Sequence, residues 1–199
     1  SEFALLQLRL LAASDRLFHL VQWFGVFGAA PVVARAASLL GANAGAQRFA
    51  ALYSVSVPAS LLQAVSTQND ATVGFWLAIF AYGALRLASG AADRVRCALV
   101  AGVGLGLALL TKSTACLFAF PFALGLALCM LVREGRRALP VLASVAAATI
   151  AINLPHALRN GRDYASPLGP TVENFAPTPL RYTVDSPDAQ SLALNAIRN

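Results

Sequence analysis

Residues 61–80 read LLQAVSTQNDATVGFWLAIF, two apolar runs on either side of the polar residues STQND at 66–70. The rest of the chain is equally apolar: 58% of its 199 residues are hydrophobic and only 12% are charged. Soluble domains carry about 25% charged residues. The composition therefore indicates an integral membrane protein that contacts the lipid bilayer. An ionised side chain within a membrane is energetically costly, so the presence of Asp70 requires a structural or functional explanation.

Six apolar segments approach the length that a helix needs to cross a bilayer, about 20 residues. They predict an all-α, polytopic transmembrane helical bundle with spans at 17–34, 48–65, 71–88, 96–111, 113–132 and 138–155. Residues 3–13 are too short for a span and predict an interfacial helix. We expect Pro58 and Pro121 to kink or break their helices and Pro155 to end the sixth span.

The chain is predicted to change character after Pro155. Residues 1–155 form the transmembrane region, in which the small-residue stretch at 102–106 favours close helix packing. Residues 156–199 contain five prolines and mixed charges, which predict an extracytoplasmic loop. Its last part, SPDAQSLALNAIRN at 186–199, is typical of the start of a further helix, with a serine before a proline and an aspartate.

The placement of charges orients the spans. Eight arginines occupy or flank alternate gaps, which share one side of a six-span topology: Arg35, Arg48, Arg86, Arg94, Arg96, Arg133, Arg136 and Arg137. Because cytoplasmic loops collect arginine and lysine, we place these gaps in the cytoplasm, and Asp70, Lys112 and the tail outside. Merging the fourth and fifth spans would put the arginine clusters on opposite sides. The net charge of +6 then reflects topology, and no nucleic-acid partner is expected.

Asp70 and Lys112 are the leading functional candidates. Lys112 is the only lysine in the chain; it either snorkels at a helix end or holds an anion such as a lipid phosphate. Asp70 either caps a helix or lines a site. Since both lie on the outer side, we expect that they can meet. Arg159 either binds an anion or anchors a helix end.

No cofactor is predicted. The three cysteines lie in or beside apolar segments, and the two histidines are far apart, so neither set forms a metal-binding motif. We predict no metal ligands, although a need for a divalent metal stays open.

Four stretches, taken in order, resemble bacterial membrane glycosyltransferases. They are SDRLFHLVQWFGVFGA at 14–29, LLQAVSTQNDATVGFWL at 61–77, GLGLALLTKSTACLFAFPF at 104–122 and NLPHALRNGRDYASPLGP at 153–170. The resemblance is to the dolichyl-phosphate-mannose protein mannosyltransferases and the lipid A aminoarabinose transferases, which share the GT-C fold. Its most specific parts are TQND at 67–70 and LTK at 110–112.

The resemblance implies an inverting transferase of the bacterial inner membrane. Such enzymes pass a sugar from a polyprenyl-phosphate donor to an acceptor on the extracytoplasmic side. By resemblance, Asp70 is a catalytic acid beside the substrate cavity, Lys112 and Asn69 bind the carrier phosphate, and Arg159 lies near the cavity rim. The sugar and the acceptor stay open.

One part of the family pattern has no match. The family's usual catalytic base lies in a first outer loop, after a first span, and neither is found in this chain. We therefore expect a piece of a larger enzyme that is inactive alone. A transporter or a non-catalytic membrane scaffold are the alternatives; the scaffold follows if Asp70 only caps a helix and Lys112 only snorkels.

Overall fold

The computed structural model describes Leu10 and residues 19–65 and 68–167. These residues form α-helices joined by short turns, and no β-strand occurs among them. The helices are α1 His19–Leu39, α2 Ala44–Ser56, α3 Pro58–Ala64, α4 Asp70–Ala88, α5 Arg94–Thr111, α6 Ala115–Glu134 and α7 Leu139–Tyr164, with a 3-10 helix at Gly135–Ala138 between the last two. Of the predicted interfacial helix, only Leu10 lies within the described residues, and it is helical.

Polar residues and glycine define several helix ends. Asn43 precedes α2 and its Oδ1 accepts a hydrogen bond from the Ala46 amide at 2.9 Å. Asp93 does the same for the Arg96 amide in α5, at 3.2 Å. Asn and Asp are preferred at this position because their oxygens satisfy amides that have no partner within the helix. Gly135 ends α6 with φ 58°, a left-handed conformation that favours glycine.

Four helical stretches are long and apolar enough to cross a membrane: Leu20–Leu39, Asp70–Ala88, Arg94–Thr111 and Ala115–Tyr164. The structure thus confirms the all-helical class and supports the membrane assignment in this coarse form. It does not confirm six separate spans. The predicted second span is divided into two short helices, and the predicted fifth and sixth spans lie in a helical stretch of 50 residues that a 3-10 helix interrupts.

The second predicted span breaks where Pro58 follows Val57. The helices on either side, α2 and α3, have 13 and 7 residues, and each is too short to span a bilayer alone. Proline disfavours the helical conformation of the preceding residue, and Val57 is extended, with φ −60° and ψ 125°. The predicted break at Pro58 is confirmed.

The other two prolines for which a kink, a break or a helix end was predicted lie inside continuous helices. Pro121 lies within α6, so the helix does not break there, and Pro155 lies within α7, which continues to Tyr164. The prediction that Pro155 ends the helix is therefore wrong, and residues 156–164 are helical instead of forming a loop. A proline fixes φ near −65°, which is a helical value. It lacks one hydrogen-bond donor and its ring crowds the carbonyl four residues earlier, and α6 and α7 continue through the proline in spite of this cost.

Contacts between helix ends give the directions of α4, α5 and α6. Asn69, just before α4, donates to the Thr111 carbonyl at the end of α5 at 3.1 Å. At the opposite end, Arg94 at the start of α5 forms an ion pair with Glu134 at the end of α6. Each helix therefore runs antiparallel to the next. The turn at 112–114 separates α5 from α6, so the predicted fourth and fifth spans are not merged.

Helix α7 runs in the same direction as α5. Thr149 Oγ1 donates to the Gly102 carbonyl at 3.1 Å, and one turn later Asn153 Nδ2 donates to the Gly106 carbonyl at 3.0 Å. Since α6 opposes α5, the chain reverses at the 3-10 helix. The 50-residue stretch is thus two antiparallel helices joined by the 3-10 helix, and not one continuous helix about 75 Å long.

This arrangement gives the bundle two distinct ends. The site end comprises the start of α4 at Asn69–Asp70 and the α5–α6 turn at 112–114. The arginine end comprises residues 86–96 and 133–138. There, Arg133 Nη1 donates to the Ala88 carbonyl, which joins two of the predicted arginine gaps.

Small residues allow the helices to approach closely, as the 102–106 stretch predicted. A Cβ on Gly104 would lie 2.7 Å from the Phe80 amide nitrogen, and one on Gly102 would lie 2.6 Å from the Ala148 Cβ. The outward surface is apolar, and Val132, for example, is 84% exposed. Large exposed apolar surfaces mark contact with a membrane or a partner.

The chain forms two compact units, residues 1–156 and 157–199, and α7 crosses the boundary between them. In the second unit, Asn160 is buried and its Nδ2 donates to the Pro167 carbonyl at 3.4 Å. Helix α7 is followed by Ala165 with φ 54°. The further helix predicted at 186–199 lies outside the described residues.

Candidate functional site

Two helix ends meet at the site end of the bundle. Lys112 Nζ forms an ion pair with Asp70 Oδ1, and both side chains are partly exposed, at 40% and 39%. Beside this pair, the Asn69 side chain donates to the Thr111 carbonyl. The expectation that Asp70 and Lys112 meet is confirmed, although 42 positions separate them in sequence. Ser66 and Thr67, from the same polar segment, lie outside the described residues.

Asp70 is the first residue of α4, and Asn69 precedes it as the capping residue. The Asn69 side chain makes no cap hydrogen bond to its own helix; it bridges to α5 instead. Asp70 is therefore not the helix cap that one interpretation of the sequence suggested. Its carboxylate lies at the positive end of the α4 dipole, which stabilises negative charge.

Lys112 stands where α5 ends. Its backbone is extended, with φ −157° and ψ 123°, and its amide still donates to the Ala108 carbonyl at 3.0 Å. The negative end of the α5 dipole favours a cation at this position. Each member of the pair is therefore stabilised by its own helix as well as by its partner.

The Asp70–Lys112 pair contributes little to stability. Exposed ion pairs are worth about 0–1 kcal/mol because water screens the charges and two long side chains lose freedom. A competing anion can therefore displace the Asp70 carboxylate from Lys112 at little cost. The geometry offers one cation and one carboxylate, both accessible, at the ends of two rigid helices.

Gln22 of α1 is a further polar residue that contacts the first turn of α4. Gln22 Oε1 accepts a hydrogen bond from the Thr72 amide at 3.3 Å, and the Thr72 hydroxyl lies 3.5 Å from the same oxygen. Gln22 is only 1% exposed. It thus satisfies one of the amides at the start of α4, a task usually performed by the capping residue.

Gln22 has an unusual energetic balance. Its Nε2 is buried and has no hydrogen-bond partner in the part of the chain that the structure describes. A buried unpaired donor costs about 1–3 kcal/mol, whereas a hydrogen bond contributes about 0.5–1.5 kcal/mol net. Stability alone therefore does not favour glutamine over an apolar residue of the same length.

Glycine brings α1 close enough for this contact. A Cβ on Gly25 would lie 2.8 Å from the Thr72 amide nitrogen, and one on Gly28 would lie 3.0 Å from the Phe75 ring. The successive contacts show that α1 and α4 run in the same direction. Gln22 and Thr72 are not among the site residues predicted from sequence; the available signal was a glutamine inside an otherwise apolar span.

Arg159 lies in the second unit, where it is exposed in the last part of α7. Asp70, Lys112 and Asn69 all belong to the first unit. The structure therefore brings three of the four predicted residues together, and the role of Arg159 near a cavity rim stays a prediction. Among the described residues, no group of three or more His, Cys, Asp or Glu side chains is placed to hold a metal ion.

The arginine end carries a second ion pair of similar exposure, Arg94 with Glu134, at 34% and 24%. Both of its members come from gaps that the charge count places in the cytoplasm. This pair provides an internal comparison for the Asp70–Lys112 pair, because the two differ in position but little in exposure.

Comparison with known protein families, with curated proteins and with solved structures found no match to this chain. The resemblance to membrane glycosyltransferases therefore rests on the four quoted stretches alone.

Proposed function

We propose that this chain is part of an inverting membrane glycosyltransferase that uses a polyprenyl-phosphate sugar donor. The observation that carries the proposal is the accessible Asp70–Lys112 pair at the ends of two helices. It is supported by the order of the four family-like stretches and by the apolar helices that suit a lipid-linked substrate.

In the proposed site, Lys112 binds the donor phosphate. Lysine serves as a point charge for phosphate, and a cation held at this place stabilises the negative charge that the leaving phosphate acquires. Because the ion pair is weak, the incoming phosphate displaces the carboxylate of Asp70 from Lys112. The Asn69 side chain, which ties α4 to α5, keeps the two groups on adjacent helix ends.

Asp70, once displaced, is free to contact the acceptor hydroxyl. The hydroxyl oxygen attacks the anomeric carbon while the bond to phosphate breaks, and the phosphate leaves with the electron pair. The hydroxyl proton passes to a carboxylate within hydrogen-bond reach. In the families that this chain resembles, the usual base is a carboxylate of a first outer loop, and Asp70 assists that base.

The test compares the two ion pairs in the full-length protein. Asp70→Asn and Lys112→Ala are each expected to lower sugar transfer from a polyprenyl-phosphate donor in membranes by about 100-fold or more, the usual effect of removing an acid–base or charge-stabilising group. The matched control is Glu134→Gln, which breaks the ion pair at the arginine end and should leave transfer near the wild-type rate. Normal transfer by both site variants, at normal expression, would refute the assignment.

A transporter is the second candidate because the helical segment at 44–64 is interrupted at Val57, between α2 and α3. Broken helices provide substrate sites in secondary transporters. The charged residues, however, lie at helix ends, whereas a transporter would place its ion site near mid-membrane. Uptake of a solute by proteoliposomes that hold the full-length protein, without sugar transfer, would favour the transporter.

The third alternative is a non-catalytic membrane scaffold, in which Asp70 only caps a helix and Lys112 only snorkels. The ion pair between the two residues does not favour this alternative.

A further inference from the structure

The first turn of α4 is held from two sides. Asp70 contacts Lys112 of α5, and Thr72 contacts Gln22 of α1. Residues two positions apart on a helix are separated by about 200° around the helix axis. The contacts of Asp70 and Thr72 therefore lie on opposite faces of α4. The turn that carries the Asp70 carboxylate is thus clamped between α1 and α5.

Only a few side chains can make the contact from α1. The acceptor must reach the Thr72 amide across a helix interface, which favours a long side chain over Ser or Asn. It must also stay neutral, because a fully buried carboxylate pays a large desolvation cost. Glutamine satisfies both conditions, and its oxygen brings with it an Nε2 donor that has no hydrogen-bond partner among the described residues. The unfavourable donor is explained if the oxygen is needed at this place.

We propose that Gln22 is a positioning residue that holds the first turn of α4, and with it Asp70, against Lys112. The inference deepens the proposed function and rests on it for the chemistry of Asp70. The positioning itself does not depend on any reaction and is measurable without one.

The single lysine of the chain provides the measurement. Acetylation of Lys112 by an N-hydroxysuccinimide ester, followed by mass spectrometry of the peptide that contains it, reports on one side chain. The reagent is attacked by the amine nitrogen, and a lysine side chain held against a carboxylate presents that nitrogen to the reagent less often than a free one. Asp70→Asn should therefore speed the labelling of Lys112 about two- to fivefold, the range set by an exposed ion pair.

Gln22→Met removes both polar atoms and keeps the length of the side chain. We expect it to speed Lys112 labelling about twofold or more while the Tm of the detergent-purified protein stays the same or rises. The matched control is Val26→Ala, a buried position on the same helix, which should lower Tm and leave labelling at the wild-type rate.

Two results would overturn the proposal. One is wild-type labelling in Gln22→Met. The other is a fall in Tm that accompanies faster labelling in that variant, since this is the pattern of a residue with a merely structural role. In the full-length enzyme, Gln22→Met should also lower kcat more than it raises KM for the lipid-linked donor. If labelling behaves as expected but wild-type protein transfers no sugar, the positioning role stands and the proposed function fails.

Discussion

At the scale of single residues, Asn69 shows how a local preference is redirected by a neighbouring helix. Asparagine before a helix usually accepts a hydrogen bond from that helix, but here its amide donates to the Thr111 carbonyl of α5. The residue therefore ties two helix ends together and supports the adjacent Asp70–Lys112 pair. Gln22 performs the capping of α4 from another helix.

Two substitutions of Asn69 separate these roles. Asn69→Ala and Asn69→Ser should each lower the free energy of unfolding by about 0.5–1.5 kcal/mol, because neither side chain reaches Thr111. Serine is as good a cap as asparagine, so a capping role predicts full stability in Asn69→Ser. Thermal unfolding of the two purified variants decides between the roles, and wild-type stability of the serine variant would contradict the bridging role.

At the scale of helices, close packing depends on glycines with specific neighbours. Gly104 of α5 faces α4, and a Cβ there would lie 2.7 Å from the backbone nitrogen of Phe80. Backbone at that distance cannot move aside as a flexible side chain can. The α4–α5 contact sets where Asp70 and Lys112 lie, so this packing affects the site as well as stability.

We expect Gly104→Ala to destabilise the protein by about 1–3 kcal/mol, the usual cost of overpacking. The control is Gly125→Ala in α6, where a Cβ would meet nothing within 4 Å. That substitution should be neutral, or stabilise by up to about 1 kcal/mol because alanine is the better helix former. The comparison of the two unfolding curves is the measurement. Equal behaviour of the two variants would mean that α4 and α5 do not pack as closely as described.

At the scale of the whole molecule, charge is divided between the two ends of the bundle. Arginines of two gaps lie at one end, where Arg133 and Arg94 bind groups from neighbouring segments. The Asp70–Lys112 pair lies at the other. The positive-inside rule predicts that the arginine end faces the cytoplasm.

A cysteine at each end tests this orientation in bacterial cells, in a background without the native cysteines. Ser113→Cys should react with a membrane-impermeant maleimide in intact cells that have a permeable outer membrane. Arg137→Cys should react only in inside-out vesicles. Both positions are exposed, so exposure does not separate them, and the reverse labelling pattern would place the site in the cytoplasm.

Much of the architecture could be predicted from local patterns. Apolar runs of about 20 residues predicted the helices, Pro58 predicted the break before α3, and the alternation of spans predicted that the gaps at 86–96 and 133–137 lie at the same end of the bundle. The prediction failed at Pro155, because the φ value of proline is compatible with a helix and the residues on either side continue it.

Local sequence patterns were enough to predict the helical class, the apolar surface and the two oppositely charged residues at the predicted outer ends. The contacts of Asp70 with Lys112, of Asn69 with Thr111 and of Gln22 with Thr72 depend on how the helices pack against one another. These pairs are separated by 42 to 50 positions. Hydrophobic periodicity is a property of each helix alone. Which helix faces meet depends on the glycines and other small residues that let particular helices approach each other. These contacts involve residues far apart in sequence, so they cannot be predicted from one helix at a time.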